Sequence, residues 1–197
     1  MMEAFDRYEI ILSGSGGQGI ILAAIILAEA AGVHDGLYVC QSQSYGPEAR
    51  GGYSKAEVIM SKNPIDYPKA IRADLLLSMN QASCDHCFET LKSEGLLVVD
   101  ASLVSQVPTT RSVSIPFTEI ARKEVGKEMV ANMVALGAVG RISQSVSAKN
   151  LETALVARVP KGTEELNLKA LRAGIKAAEA FDLSTLPKTI TPEDDEL

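Results

Sequence analysis

Gly14, Ser15, Gly16, Gly17, Gln18 and Gly19 satisfy the spacing G-x-G-x-x-G. Glycines so placed let a backbone come close to a phosphate or carboxylate, and the helix that follows would offer unpaired N–H groups and partial positive charge. The same residues could serve only to pack a first helix tightly on its strand, and their types alone leave both roles open. A dinucleotide enzyme would add Asp or Glu at the end of the second strand, about 20 residues on, to hold ribose hydroxyls. Here that strand ends Cys40-Gln41-Ser42 and Asp35 precedes it, so a standard NAD site is not expected.

A second group follows. Tyr45, the Gly46-Pro47 turn, Glu48, Arg50 and the Gly51-Gly52 pair form a loop whose guanidinium could meet the same anion, or could pair with Glu48 at the surface. Asn80 and Gln81 would close a later strand at the same crevice, or cap the helix after it. Cys84-Asp85-His86-Cys87 has C-x-x-C spacing but no second ligand pair, and reads as packed thiols inside a helix. No Ser/His/Asp arrangement is legible, so neither a self-contained catalytic centre nor a metal site is expected in this chain.

These residues need a scaffold. Tyr8–Leu12 reads as a buried strand, Gly17–Ala31 as a helix, Leu37–Gln41 as a strand, Ser42–Gly52 as a loop and Gly52–Met60 as a strand with one exposed face. Asp74–Met79, a helix over Gln81–Lys92 and Leu96–Asp100 make a further βαβ unit, and Val113–Ile115 a short strand. Four helices follow, over Phe117–Lys123, Met129–Ile142, Ala148–Ala157 and Thr163–Phe181. The expected fold class is α/β: a Rossmann-like three-layer sandwich, mostly parallel, with helices on both faces and a helix-rich C-terminal third. Residues 1–183 are expected to form a single domain and 184–197 an acidic tail or extension.

Composition narrows the partners. The net charge of this 197-residue chain is −6, four units of which come from Glu193, Asp194, Asp195 and Glu196, so the basic footprint of a nucleic-acid binder is missing. The uncharged stretch Ile10–Ala28 is broken by the glycine phrase and is too short for a bilayer, so no membrane partner is expected. Three cysteines close no full set of disulfides and fit a reduced, cytoplasmic setting.

The phrases GSGGQGIILAA at 14–24, QSYGPEARGG at 43–52, MNQ at 79–81 and NMVALGA at 132–138 carry a resemblance. In that order and spacing, the sequence resembles the gamma subunit of a 2-oxoacid:ferredoxin oxidoreductase over roughly residues 8–182. The S-Y-G-P-E form is most like the 2-oxoglutarate (2-oxoglutarate synthase) type. The resemblance implies a multi-subunit enzyme that oxidatively decarboxylates a 2-oxo acid to acyl-CoA and reduces ferredoxin. Thiamine diphosphate, Mg and iron–sulfur clusters would sit in partner alpha and beta, and in some enzymes delta, subunits. Three cysteines cannot supply the four thiolates of an ordinary cluster. This chain would help close the active site and receive CoA through Gly14, Ser15, Gly16, Gly17, Gln18, Gly19, Tyr45, Arg50, Gly51, Gly52 and Asn80. The alternatives are a purely structural subunit of such a complex, acting on pyruvate or a branched-chain 2-oxo acid, and a free-standing flavin- or nucleotide-dependent oxidoreductase.

Overall fold

A computed structural model describes residues 6–46 and 53–190. Its strands are β1 (Tyr8–Ser15), β2 (Tyr38–Tyr45), β3 (Tyr53–Ser61), β4 (Ala73–Ser78), β5 (Leu91–Asp100) and β6 (Ser112–Ile115). The helices are α1 (Ile20–Glu29), α2 (Gln81–Cys87), α3 (Phe117–Ile120), α4 (Ala131–Ser143), α5 (Ala148–Arg158) and α6 (Glu164–Ala178). One sheet runs in the order β2-β3-β1-β4-β5-β6. β1, β4, β5 and β6 are parallel, while β3 lies antiparallel between β1 and β2. The mostly parallel expectation therefore holds, with an antiparallel ribbon at one side. The connection 46–52 is too short for a parallel crossover, so it turns β3 back along β2.

Alternate residues of the central strands serve opposite faces. Ile10, Leu12, Val58, Leu75, Leu77 and Val98 join the core under α1 and α3 to α6. Ile11, Leu76, Leu97 and Val99 join a smaller core with Cys84, Cys87 and Val104 under α2. Both faces are covered, as a three-layer reading requires, but unequally. The largest helix contact is a close crossing of α4 and α6. A Cβ on Gly137 would stand 2.0 Å from the Leu171 carbonyl oxygen, and one on Gly174 would stand 1.8 Å from that of Val134. Only hydrogen fits at either place.

Several boundaries differ from the sequence reading, each for a local reason. α1 starts at Ile20 rather than Gly17, because Gly17 (φ 94°) and Gly19 (φ 73°) hold left-handed backbone that a right-handed helix cannot include. The helix expected over 81–92 stops at Cys87, passes through a 3-10 turn at Phe88–Thr90, and β5 begins at Leu91, opposite Ala73. The Thr90 hydroxyl donates to the Cys87 carbonyl at 2.6 Å, closing the helix end. β2 continues through Ser42–Tyr45, expected as loop, since an edge strand accepts polar residues.

β3 was expected to show one face to solvent, yet Glu57 and Ile59 are buried. The segment 62–72 folds beneath that face, where Glu57 accepts the Ala70 N–H (3.0 Å) and Glu9 accepts those of Ile71 (2.7 Å) and Arg72 (3.0 Å). At the far end of the chain, Leu183 and Leu186 pack on the larger core and Ile190 on the smaller one. The Ile190 N–H bonds the Ser93 carbonyl at 2.8 Å, so residues 184–190 lie along the body. The acidic residues 193–196 are outside the described residues.

Candidate functional site

The glycine phrase begins as the last strand residues of β1 and ends at the first turn of α1. Ser15 donates its N–H to the Gln18 side-chain oxygen (2.7 Å), and Gln18 returns its N–H to the Ser15 carbonyl (3.1 Å). Asn80, at the end of β4, donates from Nδ2 to Ser15 Oγ (2.6 Å) and Gln18 Oε1 (3.2 Å). Its Oδ1 accepts the Ser83 N–H at 2.8 Å and caps α2. Asn80 therefore caps a helix and braces the glycine loop at once. Because β1 and β4 are adjacent and parallel, Ser13 stands opposite Ser78 and both loops leave the sheet at one end.

A fourth polar residue completes this frame. Asn132, in the first turn of α4, donates from Nδ2 to the Gly19 carbonyl at 3.1 Å and is itself buried. A Cβ on Gly19 would lie 2.2 Å from that nitrogen, so the left-handed Gly19 and the buried Asn132 define each other. Asn132 was not among the expected site residues. The available signal was its place as first residue of the NMVALGA phrase. With Ser15, Gln18, Asn80 and Asn132 bonded within the frame, what remains toward solvent is backbone. Gly16 and Gly17 are exposed, and their N–H groups find no acceptor among the described residues. Such a turn ahead of a helix can hold an anion through N–H donors and the helix dipole.

The β2–β3 ribbon delivers its connecting loop to the same end. Ser15 is opposite Tyr53 and Ser54 is opposite Tyr45, so Tyr45 stands two strands from the glycine loop, with its side chain exposed. Arg50, Gly51 and Gly52, expected at this crevice, lie outside the described residues, as does Glu48.

Under α2 the chemistry is different. Tyr53 and Cys87 approach to 2.7 Å, Ser13 and Ser78 to 3.2 Å, and the Tyr53 and His86 rings are 4.5 Å apart. Burial pushes the Cys84 thiol up to about 11, with Asp85 adding to the rise. Burial also raises Cys87, against hydrogen bonds from Tyr53 and Ser13. Both thiols are held protonated at neutral pH, which removes the nucleophile that redox or metal chemistry uses. No cluster of three or more His, Cys, Asp or Glu suited to a metal occurs among the described residues.

Residues 9–177 match the family model described as pyruvate ferredoxin/flavodoxin oxidoreductase. The chain belongs to this family. Within it, 2-oxoglutarate synthase subunit KorC of Methanocaldococcus jannaschii is 48% identical over 178 residues, 88% of this chain and 95% of that one. The gamma subunit of a keto/oxoacid ferredoxin oxidoreductase from Geobacter sulfurreducens PCA has the same fold, with TM-score 0.80 and 45% identity over 88% of this chain and 99% of that chain. A 2-oxoglutarate:ferredoxin oxidoreductase from Magnetococcus marinus, solved with 2-oxoglutarate, coenzyme A and succinyl-CoA bound, shares the fold at TM-score 0.79. It is 24% identical, over 90% of this chain and 32% of that chain. The resemblance read from the sequence is thereby confirmed: this is a gamma-type chain, its relatives are subunits of oxidoreductases, and it is like those of the 2-oxoglutarate type. No described helix is long and apolar enough to cross a membrane.

Proposed function

We propose that this chain works inside a cytoplasmic 2-oxoglutarate:ferredoxin oxidoreductase, where its glycine corner receives CoA and helps close the active site. The observation that carries the reading is the frame itself: four polar side chains hold an exposed Gly16-Gly17 turn at the start of α1, beside the Tyr45 end of the β2–β3 ribbon. Exposed N–H donors on a fixed loop suit the phosphates of CoA, and a ligand there loses little to loop ordering. Ser15, Gln18, Asn80, Asn132 and the left-handed Gly19 position the loop, while the exposed Gly16 and Gly17 offer their N–H groups to the ligand and Arg50 is the cation assigned to its anionic groups. The Magnetococcus enzyme, solved with CoA and succinyl-CoA, supports CoA as the ligand. When bound, CoA supplies the thiol that accepts the acyl group. Decarboxylation on thiamine diphosphate and electron transfer through iron–sulfur clusters to ferredoxin belong to companion alpha and beta subunits, since three cysteines fall short of one cluster's thiolates.

The test is a titration of CoA and of 2-oxoglutarate against the assembled enzyme carrying Arg50→Lys or Arg50→Ala. A lost charged hydrogen bond of about 1.5–3 kcal/mol raises the KM for CoA by roughly one to two decades. The KM for the 2-oxo acid should stay as it was, and the isolated chain should show no turnover with CoA, thiamine diphosphate and ferredoxin. Unchanged CoA constants in both variants, with normal assembly, would place Arg50 away from CoA.

A further inference from the structure

β2 ends the sheet on one side, and no described strand pairs with its outer edge. Which of its backbone groups point outward follows from the ladder. Gly46 donates its N–H to the Tyr53 carbonyl at 2.7 Å, and the register continues unbroken from Tyr45↔Ser54 to Tyr38↔Ser61. In an antiparallel pair, residues that exchange backbone bonds alternate with residues whose N–H and C=O face away. Tyr38, Cys40, Ser42 and Ser44 are thus bonded to β3. Val39, Gln41, Gln43 and Tyr45 present their backbone groups outward.

Soluble proteins blunt such edges with lysine, proline, bulges or short strands. At the other side of the sheet the edge strand β6 has only 4 residues. β2 has 8, and Tyr-Val-Cys-Gln-Ser-Gln-Ser-Tyr holds no charge and no proline. Apolar exposure gathers at the same edge, with Tyr38 52%, Tyr45 65% and Val33 72% exposed. Val33 lies in the turn Ala30–His34, which packs on β2, and its neighbour Gly32 lies against Val39.

The geometry points to β2 as an interface between two copies of this chain, each adding its β2 antiparallel to the other's and making one continuous sheet. The occupant is a second copy because the edge is self-complementary. Its four outward residues are symmetric about Ser42, so a two-fold axis there pairs Val39 with Tyr45 of the second copy and Gln41 with Gln43 of the second copy. Every outward N–H and C=O is then used, and no charge on the strand meets its like. Val39 and Tyr45 share the helical face, so each exposed Tyr45 ring lies beside Val39 and the Gly32-Val33 stretch opposite. The inference is independent of the CoA reading, which concerns the glycine corner.

The full chain, measured by light scattering during size exclusion, should run at twice its 21.0 kDa and dissociate on dilution. Gln43→Pro removes an outward donor while leaving the bonds to β3, so it should give a monomer with unchanged circular dichroism. Ser42→Cys, made with Cys40→Ser, brings the two introduced thiols to a non-hydrogen-bonded pair with Cα atoms about 4.5 Å apart. That spacing falls within disulfide reach. Mild oxidation should therefore trap a covalent dimer on a non-reducing gel, and this readout decides the matter if the proline variant does not fold. A wild-type chain that is monomeric at every concentration, a dimer that survives Gln43→Pro, or a dimer that Ser42→Cys never cross-links overturns the proposal. So does Gln43→Pro releasing a different subunit from the assembled enzyme while the isolated chain is monomeric, because another protein then covers the edge.

Discussion

Over the larger core, α4 and α6 approach until the Gly137 and Gly174 positions touch the facing backbone, whereas over the smaller face a short helix and the 62–72 segment are held by carboxylates, hydroxyls and thiols. The first arrangement is stabilised by shape: many small dispersion contacts and apolar area removed from water. In the second, few bonds matter much, because each satisfies a buried donor or acceptor that would otherwise cost its full desolvation. Two faces of one sheet thus fail in different ways, by steric clash on one side and by orphaned polar groups on the other.

The sharpest break of that contrast is Gly137→Ala. Alanine improves helix propensity by about 1 kcal/mol, but the added carbon meets a backbone oxygen that cannot step aside alone, and overpacking of this kind costs about 3 kcal/mol or more. Urea unfolding should show a large net loss, and a neutral or stabilised variant would mean that α4 and α6 can separate without penalty. Next in size is Glu9→Leu, which strands the Ile71 and Arg72 N–H groups and should cost about 2 kcal/mol. Proteolysis should then cut first within 62–72, and cutting elsewhere would show that the carboxylate does not hold that segment.

A smaller effect belongs to Glu57 and appears only in acid. Burial works to raise its carboxyl, yet Lys55, the Ala70 N–H and Ser42 together hold it below its usual range. A lowered folded-state pKa gives stability that is fully present above the unfolded value of 4.5 and fades as pH falls through the folded value. Acidification below about pH 4.5 should lower the unfolding midpoint, and Glu57→Gln should flatten that decline. Identical acid profiles for the two proteins would remove Glu57 from the account. The smallest expected change is Cys84→Ala, about 1 kcal/mol or less, with no alkylation of the native thiol at neutral pH because burial keeps it protonated. Rapid labelling of Cys84 would instead mean that α2 opens.

The β1-glycine-α1 unit was legible because an apolar run, a glycine cluster and a helix-forming run follow one another within 25 residues or so, and local spacing carries local structure. Asn80 was legible as a strand-end residue, and its helix cap and its brace on Ser15 turned out to coexist. Asn132 was marked only by its place in the NMVALGA phrase, since an asparagine at a helix start looks like any cap and nothing local reveals a bond to Gly19. Glu57 was hidden by alternation, where an acid on a strand reads as solvent-facing until a later segment covers it, and the role of Glu9 was hidden because its partners Ile71 and Arg72 lie 62 and 63 residues on. The place of β3 between β1 and β2 is likewise a tertiary fact, although the short connection after β2 could have suggested a ribbon.

The bond between Asn132 and the Gly19 carbonyl joins residues 113 positions apart, and this sets the order of events when the chain folds. Closing so long a loop carries an entropic cost that local turns avoid, so contacts of this span form late. The β1–α1 turn can appear early, but Gly19 acquires its final partner only once α4 has been synthesised and docked. A nascent chain ending before residue 132 therefore holds an unfinished glycine turn, and the site matures last although most of its residues are made first.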